Sequence, residues 1–202
     1  VGQVLGGVAV HINAFNFPAW GFAEKAACAL LAGMPVITKP ATSSAMVTER
    51  CIEILVAAQV LPAGALSLVC GSAGDLVTKL GAQDVLAFTG SASTAVKLRG
   101  AANLLAASVR VNIEADSLNA AVLGPDVSEG AETYELFVRE VVREMTQKSG
   151  QKCTAVRRIF VPRAQLAAVE AAICERLRAS VTGNPQDASV NLGPLATREQ
   201  LS

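Results

Sequence analysis

Cys153 lies in the stretch of this sequence that most favours covalent chemistry. It follows a Ser149-Gly150 break and comes directly after Lys152, so the pattern predicts a turn rather than the face of a helix. A cation beside a thiol lowers the thiol pKa and raises the fraction present as reactive thiolate. By itself the pattern fits either a nucleophile or an incidental turn cysteine.

Two acidic residues, Glu114 and Asp116, follow the apolar run that ends at Ile113. A carboxylate at the carboxyl end of a buried strand can lose part of its hydration, which raises its pKa toward that of a useful general base. Glu114 is therefore a candidate base, and the alternative is an ordinary strand-end acid that faces water. Asp116 competes for the same role.

Asn16 and Lys39 are polar residues at the ends of other apolar segments. The Asn16 amide could donate to an oxyanion that develops opposite a thiolate, or it could cap the helix that follows. Lys39 comes directly after a short apolar strand, where a solvated charge is unusual. Contact with a phosphate or a ribose would explain the lysine.

Gly90 and Ser91 lie where a predicted strand gives way to a helix. Backbone N–H groups at such a point can bind pyrophosphate. The sequence contains no GxGxxG fingerprint, and Gly71-Ser72-Ala73-Gly74 is only a loose analogue. Spacing alone therefore does not establish a dinucleotide site.

Strand-like and helix-like segments that could position these side chains alternate along the first part of the chain. Apolar runs predict strands at Leu5–Ile12, Val36–Thr38, Leu66–Cys70, Val85–Phe88, Val109–Ile113 and Ala120–Leu123. Helical spacing predicts helices between them, over Trp20–Leu31 and from Val47 to Ala58. The alternation predicts an α/β fold with a doubly wound parallel sheet, whose ligands bind at the carboxyl ends of the strands.

The pattern changes after Gly124-Pro125-Asp126. An amphipathic helix that contains Tyr134 to Met145 leads into the Cys153 turn. A strand over Arg157–Val161 and a helix over Arg163–Ser180 follow. This segment indicates the start of a second domain.

Composition excludes several classes of protein. Hydrophobic residues make up 51% of the 202 residues, and 17 basic side chains balance 17 acidic ones. This balance argues against a dedicated nucleic-acid binder and against a polybasic membrane patch. Every apolar run is interrupted before it could span a bilayer. We expect a well-buried globular chain with neither nucleic-acid nor membrane partners.

The five cysteines are widely spaced and form no CxxC pair. This spacing fits neither a disulfide framework nor a zinc site, so we expect no metal and a reducing, cytoplasmic location. The single histidine, His11, ends an apolar run and is expected to be structural. Val1 is not an initiator and the last residues contain no terminating element, so we expect the natural protein to be longer.

Five short motifs, taken together and in this order, resemble the aldehyde dehydrogenase superfamily. They are Phe15-Asn16-Phe17-Pro18, Lys39-Pro40, Phe88-Thr89-Gly90-Ser91, Glu114 and Gly150-Gln151-Lys152-Cys153. The resemblance implies that residues 1–115 are part of a Rossmann-like dinucleotide-binding domain. Residues 116–202 would be the first part of an α/β catalytic domain that carries the nucleophile.

The resemblance also implies catalytic roles. Cys153 would attack the aldehyde carbon to form a thiohemiacetal, and its oxyanion would be held by Asn16 and the backbone N–H of Cys153. Loss of hydride to a nicotinamide would leave a thioester. Glu114 would then activate the water that releases the carboxylic acid.

Cofactor contacts follow from the same resemblance. Lys39 would contact the adenosine ribose, while Gly90 and Ser91 would lie against the phosphates and the nicotinamide side. Members that prefer NAD usually have a glutamate three residues after the lysine, and here that position is Thr42. A hydroxyl does not repel a 2′-phosphate and can donate to it, so we expect NADP to be preferred, with NAD possible.

A second departure concerns the substrate. The common Glu-Leu-Gly-Gly-Lys is replaced by Glu114-Ala115-Asp116-Ser117-Leu118-Asn119. This version, together with the segments from His11 to Pro18 and from Arg139 to Thr146, looks like the branch that oxidises CoA-linked semialdehydes after ring cleavage, in aerobic degradation of either benzoyl-CoA or phenylacetyl-CoA. The family resemblance also implies a homo-oligomer, at least a dimer.

Two other readings remain open. In a CoA-acylating enzyme a thiol would take the acyl group in place of water, and Glu114 argues for water. A non-catalytic nucleotide-binding protein of the same fold would need none of Asn16, Glu114 and Cys153.

Overall fold

The computed structural model describes residues 6–201, and the chain divides into two compact units, Val1–Asp116 and Ser117–Ser202. The first unit is built on a parallel five-stranded sheet of order β3-β2-β1-β4-β5. Its strands are β1 (Ala9–Ile12), β2 (Val36–Lys39), β3 (Leu66–Leu68), β4 (Val85–Gly90) and β5 (Arg110–Ala115). This architecture confirms the predicted α/β fold with a parallel sheet.

Helices cover both faces of this sheet. They are α1 (Pro18–Leu31), α2 (Ala45–Ala57), α3 (Ala92–Arg99) and α4 (Ala102–Ala106). The first helix begins at Pro18, where the missing N–H of proline would have had no helical acceptor. One core cluster joins Ala9 and Val36 to Phe22 and Ala26 of α1. A second cluster joins the opposite face of the sheet to α3 and α4, through Val10, Leu86, Phe88, Ala95, Leu98 and Leu104.

The central strands are buried on both faces, as parallel sheets require. Val10, Val36 and Leu86 are completely buried, and His11 in β1 is buried with them. Burial, together with the smaller effect of the Lys25 charge, lowers the pKa of His11 to about 4. His11 therefore stays neutral inside the sheet at physiological pH.

The strands differ from the predicted ones by one to four residues at their ends, and β5 differs also in its burial. The first predicted strand, Leu5–Ile12, is formed from Ala9 onward, and Leu5 lies outside the described residues. The apolar residues of β5 predict a buried strand, but most residues of β5 are exposed. The reason is that β5 is the outermost strand of this sheet. An edge strand has a neighbouring strand on one side only.

The second unit pairs two parallel strands, β6 (Asn119–Val122) and β7 (Val156–Phe160). Two helices, α5 (Glu132–Thr146) and α6 (Leu166–Arg178), belong to the same unit. Their core consists of Leu123, Tyr134, Val138, Val141, Val169 and Ile173. The stripe predicted for α5 supplies half of that core, and Cys153 lies in the connection from α5 to β7.

Candidate active site

The sheet register places three candidate residues at the carboxyl ends of the strands. Lys39 is the last residue of β2 and pairs with Ile12 of β1, which also pairs with Phe88 of β4. On the other side of β4, Glu114 pairs with Thr89. Lys39, Gly90 and Glu114 therefore lie at the carboxyl end of neighbouring parallel strands, where open α/β sheets bind ligands.

The strand order of the sheet reverses at its centre, between β1 and β4. β2 and β3 lie on one side of β1, while β4 and β5 lie on the other side. Such a topological switch point leaves a crevice at the carboxyl ends of the two central strands. The loop after β1 therefore borders the most favourable ligand position of this sheet.

Asn13, directly after β1, is a polar residue at this crevice that is only 4% exposed. Its Nδ2 donates to Thr38 Oγ1 at 3.1 Å and its backbone N–H donates to Lys39 O at 3.0 Å. Its Oδ1 and the Oγ1 of Thr89 on β4 are buried, and neither has a hydrogen-bond partner among the described residues. Buried polar atoms of this kind normally bond to protein, to ordered water or to a ligand.

Asn16 is half-buried in the bend before α1. The N-cap position of α1 belongs to Phe17, and no side chain there bonds the first turn. Asn16 lies one residue before that cap position. Thr42 is exposed and begins a 3-10 turn, Thr42–Ser44, three residues beyond Lys39.

Gly90 ends β4 against the ring of Phe88. A Cβ at this position would lie 2.6 Å from Phe88 Cζ, so only glycine fits while the buried ring stays in place. Ser91 then caps α3, because its Oγ accepts from Thr94 N at 3.4 Å.

An acidic side chain already occupies the start of α3. The backbone N–H of Ala92 donates to Asp116 Oδ2 at 3.1 Å. The carboxylate of Asp116 is thus used in capping a helix, where negative charge is favourable. This arrangement leaves Glu114, which is exposed, as the strand-end acid facing water.

Cys153 is exposed in the second unit, within a tight turn. Ala155 N donates to Lys152 O at 3.2 Å, which makes Cys153 the second residue of a β-turn over 152–155. Three consecutive residues upstream have positive φ: Lys148 at 50°, Ser149 at 55° and Gly150 at 74°. Left-handed backbone in non-glycine residues is unfavourable, and its presence beside a candidate nucleophile is typical of functional sites.

Hydrogen bonds join this loop to β7 and to a later segment of the chain. Arg157 Nη2 donates to Gly150 O at 2.9 Å, and Ser149 Oγ donates to Gly193 O at 2.6 Å. Gln151 bridges the loop to a later segment, donating to Lys148 O and accepting from Ala196 N, both at 2.9 Å.

The Cys153 carbonyl is held by two residues that precede β6 or begin it. Ser117 Oγ donates to Cys153 O, and Asn119 Nδ2 donates to the same oxygen at 2.6 Å. Asn119 also reaches Ala155 O at 3.2 Å. In the sequence alone, Ser117 and Asn119 indicate only a branch of the family.

The cation nearest Cys153 in sequence is directed elsewhere. Lys152 Nζ lies 2.7 Å from Glu144 Oε2 and donates to Gln147 Oε1 at 2.5 Å. Lys148 is the lysine on which a Cys153 thiolate acts electrostatically. Burial and the Lys152 charge lower the pKa of Lys148, and the thiolate charge opposes them.

The candidate residues fall into two groups. The first unit holds Asn16, Lys39, Thr42, Gly90, Ser91 and Glu114, and the second holds Cys153. Residues 6–201 contain no group of three metal-binding side chains. Within the same range no helix is long and apolar enough to cross a membrane.

Known proteins resemble the chain over almost its whole length. The sequence profile described as aldehyde dehydrogenase family matches residues 4–202. A 3,4-dehydroadipyl-CoA semialdehyde dehydrogenase of Aromatoleum evansii is 53% identical over 97% of this chain and 38% of its own length. A non-phosphorylating aspartate-semialdehyde dehydrogenase of Halomonas elongata is 33% identical over 94% of this chain and 37% of its own length.

Solved structures agree with the sequence comparison. Betaine aldehyde dehydrogenase from Staphylococcus aureus, in complex with NAD+, superposes with a TM-score of 0.84 at 26% identity, over 96% of this chain and 37% of that one. The chain thus spans about two-fifths of the length of the proteins that it matches. The profile match and the 53% identity are decisive for the family, and the chain belongs to the aldehyde dehydrogenase family.

Proposed function

We propose that the complete protein oxidises an aldehyde to its carboxylic acid, with NADP as the preferred cofactor and a thioester on Cys153 as the intermediate. The observation that carries this proposal is the state of Cys153. Its thiol is exposed in a turn that follows three left-handed residues, and side chains bind both its own carbonyl and that of Gly150. An exposed thiol can meet a substrate, and a loop held in this way can present it in one orientation.

In the proposed reaction the Cys153 sulfur bonds to the aldehyde carbon. The carbonyl oxygen becomes an oxyanion that accepts from the Cys153 N–H and the Asn16 amide. A nicotinamide held at this site would supply the acceptor for the hydride of this carbon. Glu114 takes a proton from water, the water oxygen bonds to the acyl carbon, and the thiol of Cys153 is released with the acid.

The carboxyl edge of the sheet is the proposed cofactor site. Lys39 at the end of β2 would contact the adenosine ribose, and Gly90 with Ser91 would face the phosphates and the nicotinamide side. The unpartnered oxygens of Asn13 and Thr89 at the same edge support a polar ligand there. Asp116 already occupies the Ala92 N–H, so we assign the phosphates to other donors at this edge.

NADP preference rests on the segment after Lys39. Thr42 presents an exposed hydroxyl, and the sequence has no acidic residue from Pro40 to Thr48. A 2′-phosphate would meet donors and no repelling carboxylate from this segment.

The substrate class that we propose is a CoA-linked semialdehyde from aromatic ring cleavage. The support is the 53% identity with the Aromatoleum evansii protein and the sequence from Glu114 to Asn119. A cytoplasmic location fits the five free thiols. Assembly as a homo-oligomer is part of the same proposal.

The test follows reduced cofactor with the complete protein and a CoA-linked semialdehyde, with NAD and NADP supplied separately. We expect faster turnover with NADP, a free acid as product, and no turnover by Cys153→Ala, which should still bind nucleotide. If turnover requires added free CoA and the product is a new CoA thioester in place of a free acid, the CoA-acylating alternative is favoured. Nucleotide binding with no reduction of either cofactor would favour the non-catalytic one.

A further inference from the structure

We propose that Asn119, assisted by Ser117, is a positioning residue that holds the Cys153 turn in its reactive orientation. This inference rests on the proposed role of Cys153 as nucleophile. It adds two residues whose side chains touch the nucleophile's own backbone.

The first observation is the convergence of donors on one oxygen. Cys153 O accepts from Asn119 Nδ2 at 2.6 Å and from Ser117 Oγ. The two donors also contact each other, because Asn119 Nδ2 lies 3.1 Å from Ser117 Oγ. Both lone pairs of the Cys153 carbonyl oxygen therefore accept hydrogen bonds, and the two side chains that donate them also contact each other.

The second observation is the place of this oxygen in the fold. β7 begins at Val156, so the Cys153 and Ala155 carbonyls both precede the β6–β7 ladder. Asn119 binds both of them, at 2.6 Å and 3.2 Å. One amide thus fixes the second and the fourth residue of the 152–155 turn, and the second of these carries the sulfur.

The third observation is the irregular register beside Asn119. Asn119 pairs with Val156 while Ala120 pairs with Arg158, so the ladder is interrupted between these two pairs. Arg158 Nε donates across the interruption to Leu118 O at 3.2 Å, and Arg157 Nη2 donates to Gly150 O at 2.9 Å. A bulge re-aims side chains locally, and here it lets consecutive arginines bind both the segment before β6 and the loop before Cys153.

The sequence departs from the common family pattern at the same place. Ser117 stands where the second glycine of Glu-Leu-Gly-Gly-Lys is usual. A glycine has no side chain to donate, so the Ser117 bond to Cys153 O is specific to the version of the motif found here. The Ser117–Asn119 pair thus fixes the Cys153 turn from the side of β6.

The test compares Asn119→Ala and Ser117→Ala with Asn103→Ala in the complete protein. Asn103 is a matched control, because its Nδ2 also donates to a backbone carbonyl, Val77 O at 2.8 Å, but in the other unit. Iodoacetamide labelling is followed by mass spectrometry of the Cys153 peptide, with exposed Cys70 as an internal reference. kcat and KM are measured on the same preparations.

We expect Asn119→Ala to lower kcat at least tenfold and to slow Cys153 labelling severalfold, with Cys70 labelling and the cofactor KM unchanged. A misplacement of about 1 Å at a reacting group can cost roughly a hundredfold in rate. Ser117→Ala should show a smaller loss of the same kind. Ser117→Thr keeps the hydroxyl, so it should retain most of the kcat and of the Cys153 labelling rate.

Labelling and kcat within twofold of the unsubstituted protein in both alanine variants would overturn the proposal. So would equal losses in Asn103→Ala, since these would reflect general destabilisation. If Asn119→Ala does not fold, the comparison of Ser117→Ala with Ser117→Thr decides the question. Full activity of Cys153→Ala would instead refute the proposed function, and labelling would still report whether Asn119 holds the turn.

Discussion

The carboxylate of Asp116 accepts a hydrogen bond from the backbone N–H of Ala92 at 3.1 Å, so the residue after β5 caps the first turn of α3. Asp116 adopts a φ of 33°, which non-glycine residues rarely take. The bond joins the strand that carries Glu114 to the helix that follows Gly90 and Ser91. Two parts of the proposed cofactor edge are thereby held in fixed relation.

Asp116→Ala should destabilise the protein by about 1 kcal/mol, the usual cost of losing a helix cap. Asp116→Asn keeps an oxygen acceptor and tolerates positive φ, so we expect a smaller loss. Urea unfolding of the two variants measures the difference. Equal stability of Asp116→Ala and the unsubstituted protein would show that the cap contributes nothing.

Gly90→Ala should weaken both packing and cofactor binding. Its Cβ would lie 2.6 Å from the buried Phe88 ring, and displacing a packed ring costs about 1–3 kcal/mol. We expect a lower unfolding midpoint and weaker cofactor binding by fluorescence titration. Gly21→Ala is the control, because an added Cβ there meets nothing within 4 Å, and a loss of the same size in both variants would contradict the explanation.

Burial of neutral His11 predicts a specific loss of stability in acid. Its pKa is about 4 in the folded protein and 6.5 as the ordinary value, so between these pH values the unfolded chain binds the proton and the folded chain does not. His11 therefore does not lower the free energy of unfolding above pH 6.5. As the pH drops from 6.5 toward 4, that free energy falls by roughly 3 kcal/mol in all because of His11.

The His11 prediction is checked by unfolding His11→Gln and the unsubstituted protein at pH 7 and pH 4.5. Carboxylates contribute equally to both proteins, so their difference isolates His11. The variant should lose distinctly less stability between the two pH values. Parallel losses would mean that His11 is protonated in the folded state.

Thr42→Glu should move cofactor preference toward NAD. A carboxylate at this exposed position would repel a 2′-phosphate, and we expect the NADP to NAD ratio of kcat/KM to fall at least tenfold. Ser43→Glu, exposed one residue later, is the matched control for charge alone. An unchanged ratio in Thr42→Glu, or the same change in Ser43→Glu, would refute the role of Thr42.

The strand-end residues were predictable because local patterns determine them. Apolar runs located the strands, and parallel strands must end at one edge, so the positions of Lys39, Gly90 and Glu114 followed. The edge position of β5 was not predictable, since Val111 and Ile113 have the same apolar character in a central or an edge strand. Strand order depends on contacts between distant segments.

The surroundings of Cys153 were predictable only in part. The Ser149-Gly150 break correctly indicated a turn. The positions of the lysine side chains could not be inferred, because the ion pair of Lys152 with Glu144 depends on how the loop packs against α5. The bonds from Ser117 and Asn119 depend on the pairing of β6 with β7 and on its bulge, which no local pattern encodes.

The central claim is tested most directly by trapping the acyl group on Cys153. Glu114→Gln in the complete protein should still form the thioester but release it slowly, so the aldehyde and NADP are mixed, quenched in acid and digested for mass spectrometry. We predict an acyl adduct on the Cys153 peptide and a burst of about one reduced cofactor per subunit. An unmodified Cys153, or an adduct on exposed Cys28 or Cys70 in its place, would contradict the claim.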